Sequence, residues 1–300
     1  MDDGNMETRR LQLLLELSRL GSMRAVADAL GTTTSSVSQQ IAVLAREAGT
    51  PLLEPDGRRV RLTPAGRRLA EHAVTILAAV ESARADLHPG TDPVGTVRTA
   101  GFATAISRSL LPLVLEFADS HPGVRMTLHE HEPAESLALL VADEVDLAMV
   151  YDYNLAPSTV DPSLESSPLW TASWALGVPE HLAAGVSGNA LAVFEAFHGH
   201  DLIGNSRNRA DEDVVRVLTS LAGSGPVVRH QADSLDLVEE MIVAGLGIGL
   251  LPAERPHRAG VRLLPLAEPE VRLRSYAVIR RGRRTWPPLA LVLNRLNAVP

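Results

Sequence analysis

The sequence predicts an α/β protein in which a small N-terminal winged helix-turn-helix precedes a long helix and a larger α/β domain. Two short helices and a basic hairpin follow one another within residues 22–62. An apolar repeat then runs from Leu69 to Leu87, and from Val94 onward strand patterns alternate with helix patterns. With 300 residues, 45% of them hydrophobic, the chain is long enough for about two domains with real cores.

The central element of the N-terminal part is a helix predicted from about Thr33 to Ala48. Its apolar stripe consists of Val37, Ile41, Leu44 and Ala48. Its opposite face carries Ser35, Gln39, Ala42 and Arg46. Because that face is polar, short-chained and nearly free of acids, it suits insertion into the major groove of DNA.

The segments before this helix complete the helix-turn-helix. Residues 9–20 are predicted to form a first helix that covers the other two with its leucines. Ser22 can cap a second, short helix that carries Val26 and Leu30. Gly31 can end it in a left-handed turn.

A wing is predicted directly after the helix-turn-helix. Asp56-Gly57 is a strong two-residue hairpin signal, and the strand behind it alternates Arg59, Val60, Arg61 and Leu62. We expect Val60 and Leu62 to pack inward while the arginines face out towards phosphates. The alternative is a small solvated helical bundle with an arginine-bearing turn.

The charge distribution supports a nucleic-acid partner for this region alone. The whole chain carries a net charge of −8, but residues 9–68 hold ten arginines and five acids, so the remainder carries −13. The predicted DNA-binding residues are Arg24, Thr33, Thr34, Ser35, Ser36, Ser38, Gln39, Arg46, Arg58, Arg59 and Arg61.

A long helix is predicted after the wing, with Thr63 as its cap and Pro64 as its first residue. Its apolar seam repeats every 3.5 residues, the period of a coiled coil, and consists of Leu69, Ala73, Ile76, Val80, Ala83 and Leu87. The alternative is a monomeric helix packed on its own domain. Pro89-Gly90 should stop the helix, so we predict domains at residues 1–63, 64–90 and 91–300.

From Val94 the alternating signals predict a parallel sheet with covered faces. The predicted strands end at or near Ala100, His129, Val150, Val178, Gly204, Gln231, Leu251 and Ile279. The predicted helices span residues 105–120, 135–141, 211–221, 234–244 and 287–297. Periodicity leaves open whether these elements form one large sheet or two lobes with a cleft.

The ends of these strands are the candidate ligand site. At Phe102, Ala103 and Thr104 a strand ends and a helix begins, and free amide hydrogens at such a helix start can bind an anion. In the structural alternative, Thr104 only caps its own helix. The other predicted lining residues are His131, Tyr151, Asn205, Arg229 and Gln231.

Catalytic and metal sites have little support. His129 and His131 share one face of a strand, and His198, His200 and Asp201 form a second group, so a metal site is conceivable. Surface histidines are the commoner explanation, and we predict no metal and no cofactor. Gly245-Leu246-Gly247-Ile248-Gly249 follows a helix and precedes a strand, which is the wrong context for a dinucleotide loop and favours a tight turn.

Three stretches of the N-terminal part resemble the LysR-type transcriptional regulators: Leu20 to Leu30, Ser36 to Ile41 with Leu44, and Leu62-Thr63-Pro64-Ala65-Gly66. The chain departs from the family at Leu44-Ala45, Ala48-Gly49, Leu53 and Pro55. In the larger domain the matching segments are Gly101-Phe102, Leu111-Pro112, His121-Pro122 and Val243 to Pro252.

The resemblance implies a dimer linker helix and a two-lobed effector domain of periplasmic-binding-protein type. Lobe I would span about 94–165 and 267–300, and lobe II about 166–266. It implies a transcriptional regulator, not an enzyme, that binds promoter or operator DNA and a small-molecule effector, with carboxylates as one effector class.

A homodimer or homotetramer is expected, and contact with RNA polymerase is compatible with this function. The sequence shows no signal peptide and no apolar run long enough for a membrane span, which predicts a cytoplasmic protein. The alternatives are a cytoplasmic solute-binding protein and a metal-dependent enzyme that uses His129 and His131.

Overall fold

The computed structural model describes residues 6–57, 59–88, 92–159, 161–221 and 227–298. The first part, called the head below, comprises α1 (Thr8–Leu20), α2 (Met23–Ala29), α3 (Thr34–Glu47), β1 (Leu53–Asp56) and β2 (Arg59–Leu62). The winged helix-turn-helix is therefore present. Its core is built from the buried leucines of α1 together with Val26, Val37, Ile41 and Leu44.

Local capping explains where these helices begin. The hydroxyl of Ser22 accepts a hydrogen bond from the amide of Ala25 at the start of α2, as predicted. The hydroxyl of Thr33 does the same for the amide of Ser36 at the start of α3. Gly31, with φ of +61°, lies in the left-handed region between the two helices.

The wing is an antiparallel hairpin that turns at Gly57, where φ is +60°. Leu62 pairs with Leu53 and is 9% exposed, but Val60 is 37% exposed. The prediction that both apolar residues pack inward is thus wrong for Val60. Leu62 lies at the base of the hairpin against the helices, whereas Val60 pairs with Pro55 nearer the tip, beyond the reach of the core.

The long helix α4 (Pro64–Leu87) begins as predicted, with Thr63 as its cap and Pro64 in its first turn. The expected stop at Pro89-Gly90 lies outside the described residues. The buried face of α4 packs mainly against α1 and includes Ala70, Ala73, Val74 and Ala78. Within the predicted seam, Ala73 is fully buried in its own chain, Leu69 and Val80 are half-buried, and Ile76, Ala83 and Leu87 are exposed.

The larger domain has mixed strand directions. Its strands are β3 (Gly95–Gly101), β4 (Val124–Glu130), β5 (Leu147–Tyr153), β6 (Leu164–Pro179), β7 (Asp201–Gly204), β8 (Val227–Gln231), β9 (Gly249–Pro252), β10 (Val261–Pro265) and β11 (Arg272–Arg280). The helical segments are α5 (Ala103–Ala105), a π-helical turn (Ile106–Leu110), α6 (Leu111–Ser120), α7 (Pro133–Val141), a 3-10 turn (Glu180–Leu182), α8 (Ala190–Ala196), α9 (Ala210–Leu221), α10 (Leu235–Val243) and α11 (Pro287–Ala298). The pairs β3–β4, β3–β5 and β7–β8 are parallel, whereas β11 is antiparallel to β5 and β6.

Two lobes share the long strand β6. From Leu164 to Ser173 it pairs with β11 in the first lobe, and from Trp174 to Pro179 it pairs with β9 and β10 in the second lobe. The chain therefore crosses between the lobes within β6, later than the boundary at residues 165 and 166 that the sequence suggested. The crossing is invisible to periodicity because the backbone remains extended through it.

The glycine-rich turn before β9 has the structural role predicted for it. Gly245 adopts φ of +74° at the end of α10. A Cβ atom on Gly247 would lie 2.4 Å from the carbonyl oxygen of Asp201, so the backbone approaches β7 too closely for any side chain. No helix among the described residues is long and apolar enough to cross a membrane.

Candidate functional site

The exposed face of α3 is the candidate DNA-contacting surface of the head. Ser35, Ser38, Gln39 and Arg46 are exposed, while the opposite side of α3 is buried in the core. The acid nearest to this helix end, Glu47, is half-buried and held by Arg10 of α1. The polar face is therefore free of negative charge where it would meet DNA.

The other predicted DNA-contacting residues flank this face. Thr34 is exposed, Ser36 is half-buried, and the Thr33 hydroxyl hydrogen-bonds the Ser35 hydroxyl at 3.0 Å. Arg24 is largely exposed, with a weak contact of 3.9 Å to Asp28. The placement of these residues fits a surface in contact with DNA.

The wing contributes one described guanidinium. Arg61 is exposed and lies 2.8 Å from Glu54 of the neighbouring strand. Because this pair is solvent-exposed it contributes little stability, and Arg61 can exchange the carboxylate for a phosphate at small cost. Arg58 lies outside the described residues, and of Arg59 only the backbone in β2 is described.

A cleft of about 880 Å³ lies between the two lobes of the larger domain. Five of the predicted ligand residues line it: Phe102, Ala103, Thr104, Tyr151 and Asn205. They come from the ends of β3, β5 and β7, and the carboxyl ends of strands are where open α/β sheets bind ligands.

The remaining three predicted residues lie elsewhere. Arg229 and Gln231 line a separate depression on the second lobe, and the Arg229 guanidinium pairs with Asp201 at 2.9 Å. His131 does not line the cleft, because its ring turns to Glu135 of α7, with Nδ1 at 3.4 Å from the carboxylate. Its neighbour Glu132 faces the cleft in its place.

An aromatic wall forms one side of the cleft; the sequence analysis predicted Phe102 and Tyr151 there but missed Trp170 and Arg108. The rings of Phe102 and Tyr151 meet edge to face at 4.7 Å, and the ring of Trp170 lies 6.1 Å from that of Phe102. The Arg108 guanidinium stacks over Trp170 at 4.5 Å. In the part of the chain that the structure describes, Arg108 forms no salt bridge, so its charge is available to a ligand.

The helix start beside this wall is uncapped. Phe102 precedes α5, and its side chain cannot accept a hydrogen bond from the first helical amides. Thr104 lies within α5 and is exposed, so it does not act as the cap of its own helix. The first amide hydrogens of α5 and the Arg108 guanidinium thus provide positive potential at the same end of the cleft.

A buried polar network adjoins the aromatic wall at Tyr151. Glu132 is 6% exposed and accepts hydrogen bonds from the Tyr151 hydroxyl, at 3.1 Å, and from the Asn208 amide. Burial raises the pKa of Glu132, and these hydrogen bonds offset the effect only in part. The donors to Glu132 are neutral, and the charge of Arg207 acts with them to lower its pKa.

A second carboxyl group has a similar environment. The Tyr153 hydroxyl of β5 donates to Asp211 at the start of α9 over 2.7 Å. Burial raises the pKa of Asp211 to about 6, and the charge of Glu132 acts in the same direction. Glu132 and Asp211 therefore both line the cleft as acids whose pKa is raised by burial.

Arg207 connects the lobes across the cleft. Its guanidinium pairs with Asp233 of the second lobe at 3.0 Å, and with Glu130 and Glu135 of the first lobe at 3.4 and 3.5 Å. The contacts of Arg207 with Glu130 and Glu135 are longer than its contact with Asp233, so a small change in lobe closure would alter them.

The two histidine groups do not form a metal-binding arrangement among the residues that the structure describes. Nδ1 of His200 lies 3.2 Å from the carbonyl oxygen of Phe197 within its own turn. Across the described ranges, no group of three or more His, Asp or Glu side chains is arranged to hold a metal ion.

Comparison with known proteins agrees with this architecture. The profile of the bacterial regulatory helix-turn-helix protein, lysR family, matches residues 8–67, and that of the LysR substrate binding domain matches residues 90–299. The transcriptional dual regulator GltC of Bacillus subtilis is 28% identical over 297 residues, which cover 95% of this chain and 94% of GltC. The DNA-binding transcriptional dual regulator OxyR of Escherichia coli is 28% identical over 290 residues, 92% of this chain and 90% of OxyR.

Solved structures of full-length regulators share the fold. Full-length OxyR from Pseudomonas aeruginosa superposes with a TM-score of 0.73 at 16% identity, covering 98% of this chain and 95% of that one. CbnR, a LysR family transcriptional regulator in complex with its target DNA, gives a TM-score of 0.53 at 22% identity, with 97% and 99% covered. The chain belongs to the LysR family of DNA-binding transcriptional regulators, which join a helix-turn-helix head to an effector-binding domain.

Proposed function

We propose that the exposed face of α3 reads an operator in the major groove while the wing binds the adjacent phosphates. The observation that supports this most directly is the acid-free polar face that surrounds Gln39, opposite the buried stripe of α3. A glutamine side chain can bond two edge atoms of adenine, and the neighbouring serine hydroxyls accept or donate as the base requires.

The regulatory signal is a small effector that binds in the cleft between the lobes. The uncapped helix start at Ala103 and Thr104, together with Arg108, forms a place for a carboxylate. A ligand held there contacts the first lobe at the aromatic wall and the second lobe near Asn205. Binding that favours one degree of lobe closure shifts the population of DNA-binding conformations.

The working form is a homodimer or homotetramer whose subunits meet along α4. Ile76, Ala83 and Leu87 are exposed in the single chain, so an apolar strip remains available for a second α4. In this proposal the assembly regulates transcription in the cytoplasm. RNA polymerase is a further partner. The protein carries no catalytic activity in this proposal.

The experiment that tests this function is nuclease footprinting of the purified protein on DNA upstream of its own gene and its neighbours. The footprint is repeated with panels of small carboxylates. A two-fold symmetric footprint that a ligand shifts or extends supports the proposal, and Arg108→Gln should remove the ligand effect without weakening DNA binding. If the protein gives no protected site above non-specific DNA, the proposed function is wrong.

A further inference from the structure

The charges that line the cleft do not balance. Its acidic lining residues are Glu130, Glu132, Asp211, Asp233, Asp236 and Glu254, and its basic ones are Arg108, Arg207 and Arg255. Two of the arginines are already engaged: Arg207 with Asp233, and Arg255 with Asp236 and Glu239. A ligand that carried only negative charge would meet a surplus of carboxylates on most sides.

Among the acids that line the cleft, Glu132 and Asp211 are held by hydrogen bonds from neutral side chains and not by a salt bridge, although the charge of Arg207 also acts on Glu132. Neither forms a salt bridge with any residue that the structure describes, and their hydrogen-bond donors, Tyr151, Asn208 and Tyr153, are all neutral. Glu132 is 6% exposed, so water screens its charge poorly. A buried carboxylate in this position gains most from a cationic partner supplied from outside the chain.

We propose, resting on the effector cleft proposed above, that the effector carries a protonated amine bound jointly by Glu132 and Asp211. An ammonium group offers three N–H donors, enough to bond both carboxylates at once. The raised pKa values of the two acids agree with a site that is incomplete until a cation enters. Together with the anion position at Ala103 and Arg108, the cleft fits a small molecule with an ammonium group at one end and a carboxylate at the other.

The aromatic wall determines the body of this molecule. Phe102 and Trp170 present apolar surface between the two charged ends, and the Tyr151 ring lies next to the hydroxyl that contacts Glu132. Such surfaces favour an alkyl or aryl group and also attract a nearby ammonium ion. An organic amine therefore fits better than a bare metal ion, for which the described residues provide no group of three ligands.

Calorimetric titration of the full chain with three matched probes tests the inference: 2-phenylethylamine, 3-phenylpropanoate and 4-(2-aminoethyl)benzoate, which carries an ammonium group and a carboxylate at opposite ends of an aromatic body. We expect 2-phenylethylamine to bind and 4-(2-aminoethyl)benzoate to bind more tightly. Glu132→Gln and Asp211→Asn should each weaken both by about tenfold or more, because each removes one charge-assisted hydrogen bond. Both variants keep an oxygen that accepts the existing hydrogen bonds, and Glu195→Gln, an exposed acid on α8, should bind like the wild type.

Protonation gives a second readout. Because the pKa of Asp211 is about 6, a bound ammonium ion should lower it and release protons at pH 6 but not at pH 8. Titrations in buffers of different ionisation enthalpy measure this release, and Asp211→Asn should abolish most of it.

The failures of the two proposals are distinguishable. If 3-phenylpropanoate binds and 2-phenylethylamine does not, the amine inference is overturned while the carboxylate-binding cleft stands. Absence of 2-phenylethylamine binding up to its solubility limit overturns the inference as well. Footprinting with carboxylates then decides the proposed function independently.

Discussion

Arg19 and Asp143 join the head to the first lobe: Arg19 Nε donates to Asp143 Oδ2 over 2.5 Å across 124 residues of chain. Asp143 is 5% exposed and adopts φ of +60°. Arg280 of β11 reaches the same carboxylate at 3.1 Å, and Arg98 of β3 approaches it at 3.9 Å. One buried carboxylate thus lies within 4 Å of three guanidinium groups from three elements.

The first prediction concerns this junction. Asparagine tolerates the left-handed backbone of Asp143, so Asp143→Asn removes the charge and keeps the turn. We expect a decrease of about 3 kcal/mol in the free energy of unfolding, because Arg19 and Arg280 lose the buried carboxylate that both contact. Urea unfolding followed by tryptophan fluorescence measures the change.

A double-mutant cycle with Arg19→Gln isolates the contact between the domains. If Arg19→Gln lowers the free energy of unfolding by the same amount in the Asp143→Asn background as in the wild type, the two residues are not coupled.

The neighbouring pair of Arg98 and Asp146 offers a comparison within the first lobe. Arg98 donates two hydrogen bonds of 2.9 Å to the Asp146 carboxylate. Burial tends to raise the pKa of Asp146, but the hydrogen bonds and charge of Arg98 outweigh it and keep that pKa below its usual range.

The second prediction is that Gln39 reads a base. Gln39→Ala should relax the preference at one position of each half-site by about 1–3 kcal/mol while the fold survives. Selection from a randomised operator library measures this preference. Gln40→Ala is the matched control, because the Gln40 side chain accepts a hydrogen bond from Arg10 of α1 at 3.0 Å and is therefore held within the head. Equal effects of the two substitutions would remove Gln39 from the set of base contacts.

The third prediction is that Arg59 and Arg61 bind phosphate. Replacing both with alanine should weaken binding to all DNA sequences about equally, and should reduce the slope of log affinity against log salt by about 0.9 for each phosphate that is no longer neutralised. Arg262→Ala, an exposed arginine on β10, should leave the slope unchanged. An unaltered slope in the double variant would show that the wing does not touch DNA.

Local signals predicted the head well, because its helices are set by short-range patterns. The Ser22 and Thr33 caps and the apolar stripe of α3 depend on residues within four positions of one another. Val60 was predicted wrongly, since alternation gives the two faces of a strand but not how far the hairpin extends beyond the core.

The cleft was predicted less completely, because its walls come from distant segments. The rule for strand ends located Phe102 and Tyr151, yet the rule cannot say which neighbour faces the cleft, and Glu132 rather than His131 does. The stacking of Arg108 on Trp170 joins residues 62 positions apart and has no local signature. The junction of Arg19 with Asp143 was missed for the same reason.

The last prediction concerns the seam of α4 and the assembly that it supports. Ile76 lies near the middle of the seam and is 39% exposed in the single chain, whereas Ala73, one turn earlier, is already buried against its own domain. The free part of the seam therefore begins at Ile76. One recognition helix reads only a few base pairs, so useful specificity over a genome requires two heads on a roughly two-fold symmetric site.

Placing a carboxylate at Ile76 should oppose a like charge across the pair and desolvate both, so we expect Ile76→Glu to dissociate the protein. Weak, salt-sensitive binding through the basic head should remain while the symmetric footprint disappears. Ile76→Val keeps the seam apolar and should retain the wild-type mass in analytical ultracentrifugation. If Ile76→Glu also keeps that mass and footprint, α4 serves only its own subunit, and the contact between subunits must lie on the effector domain.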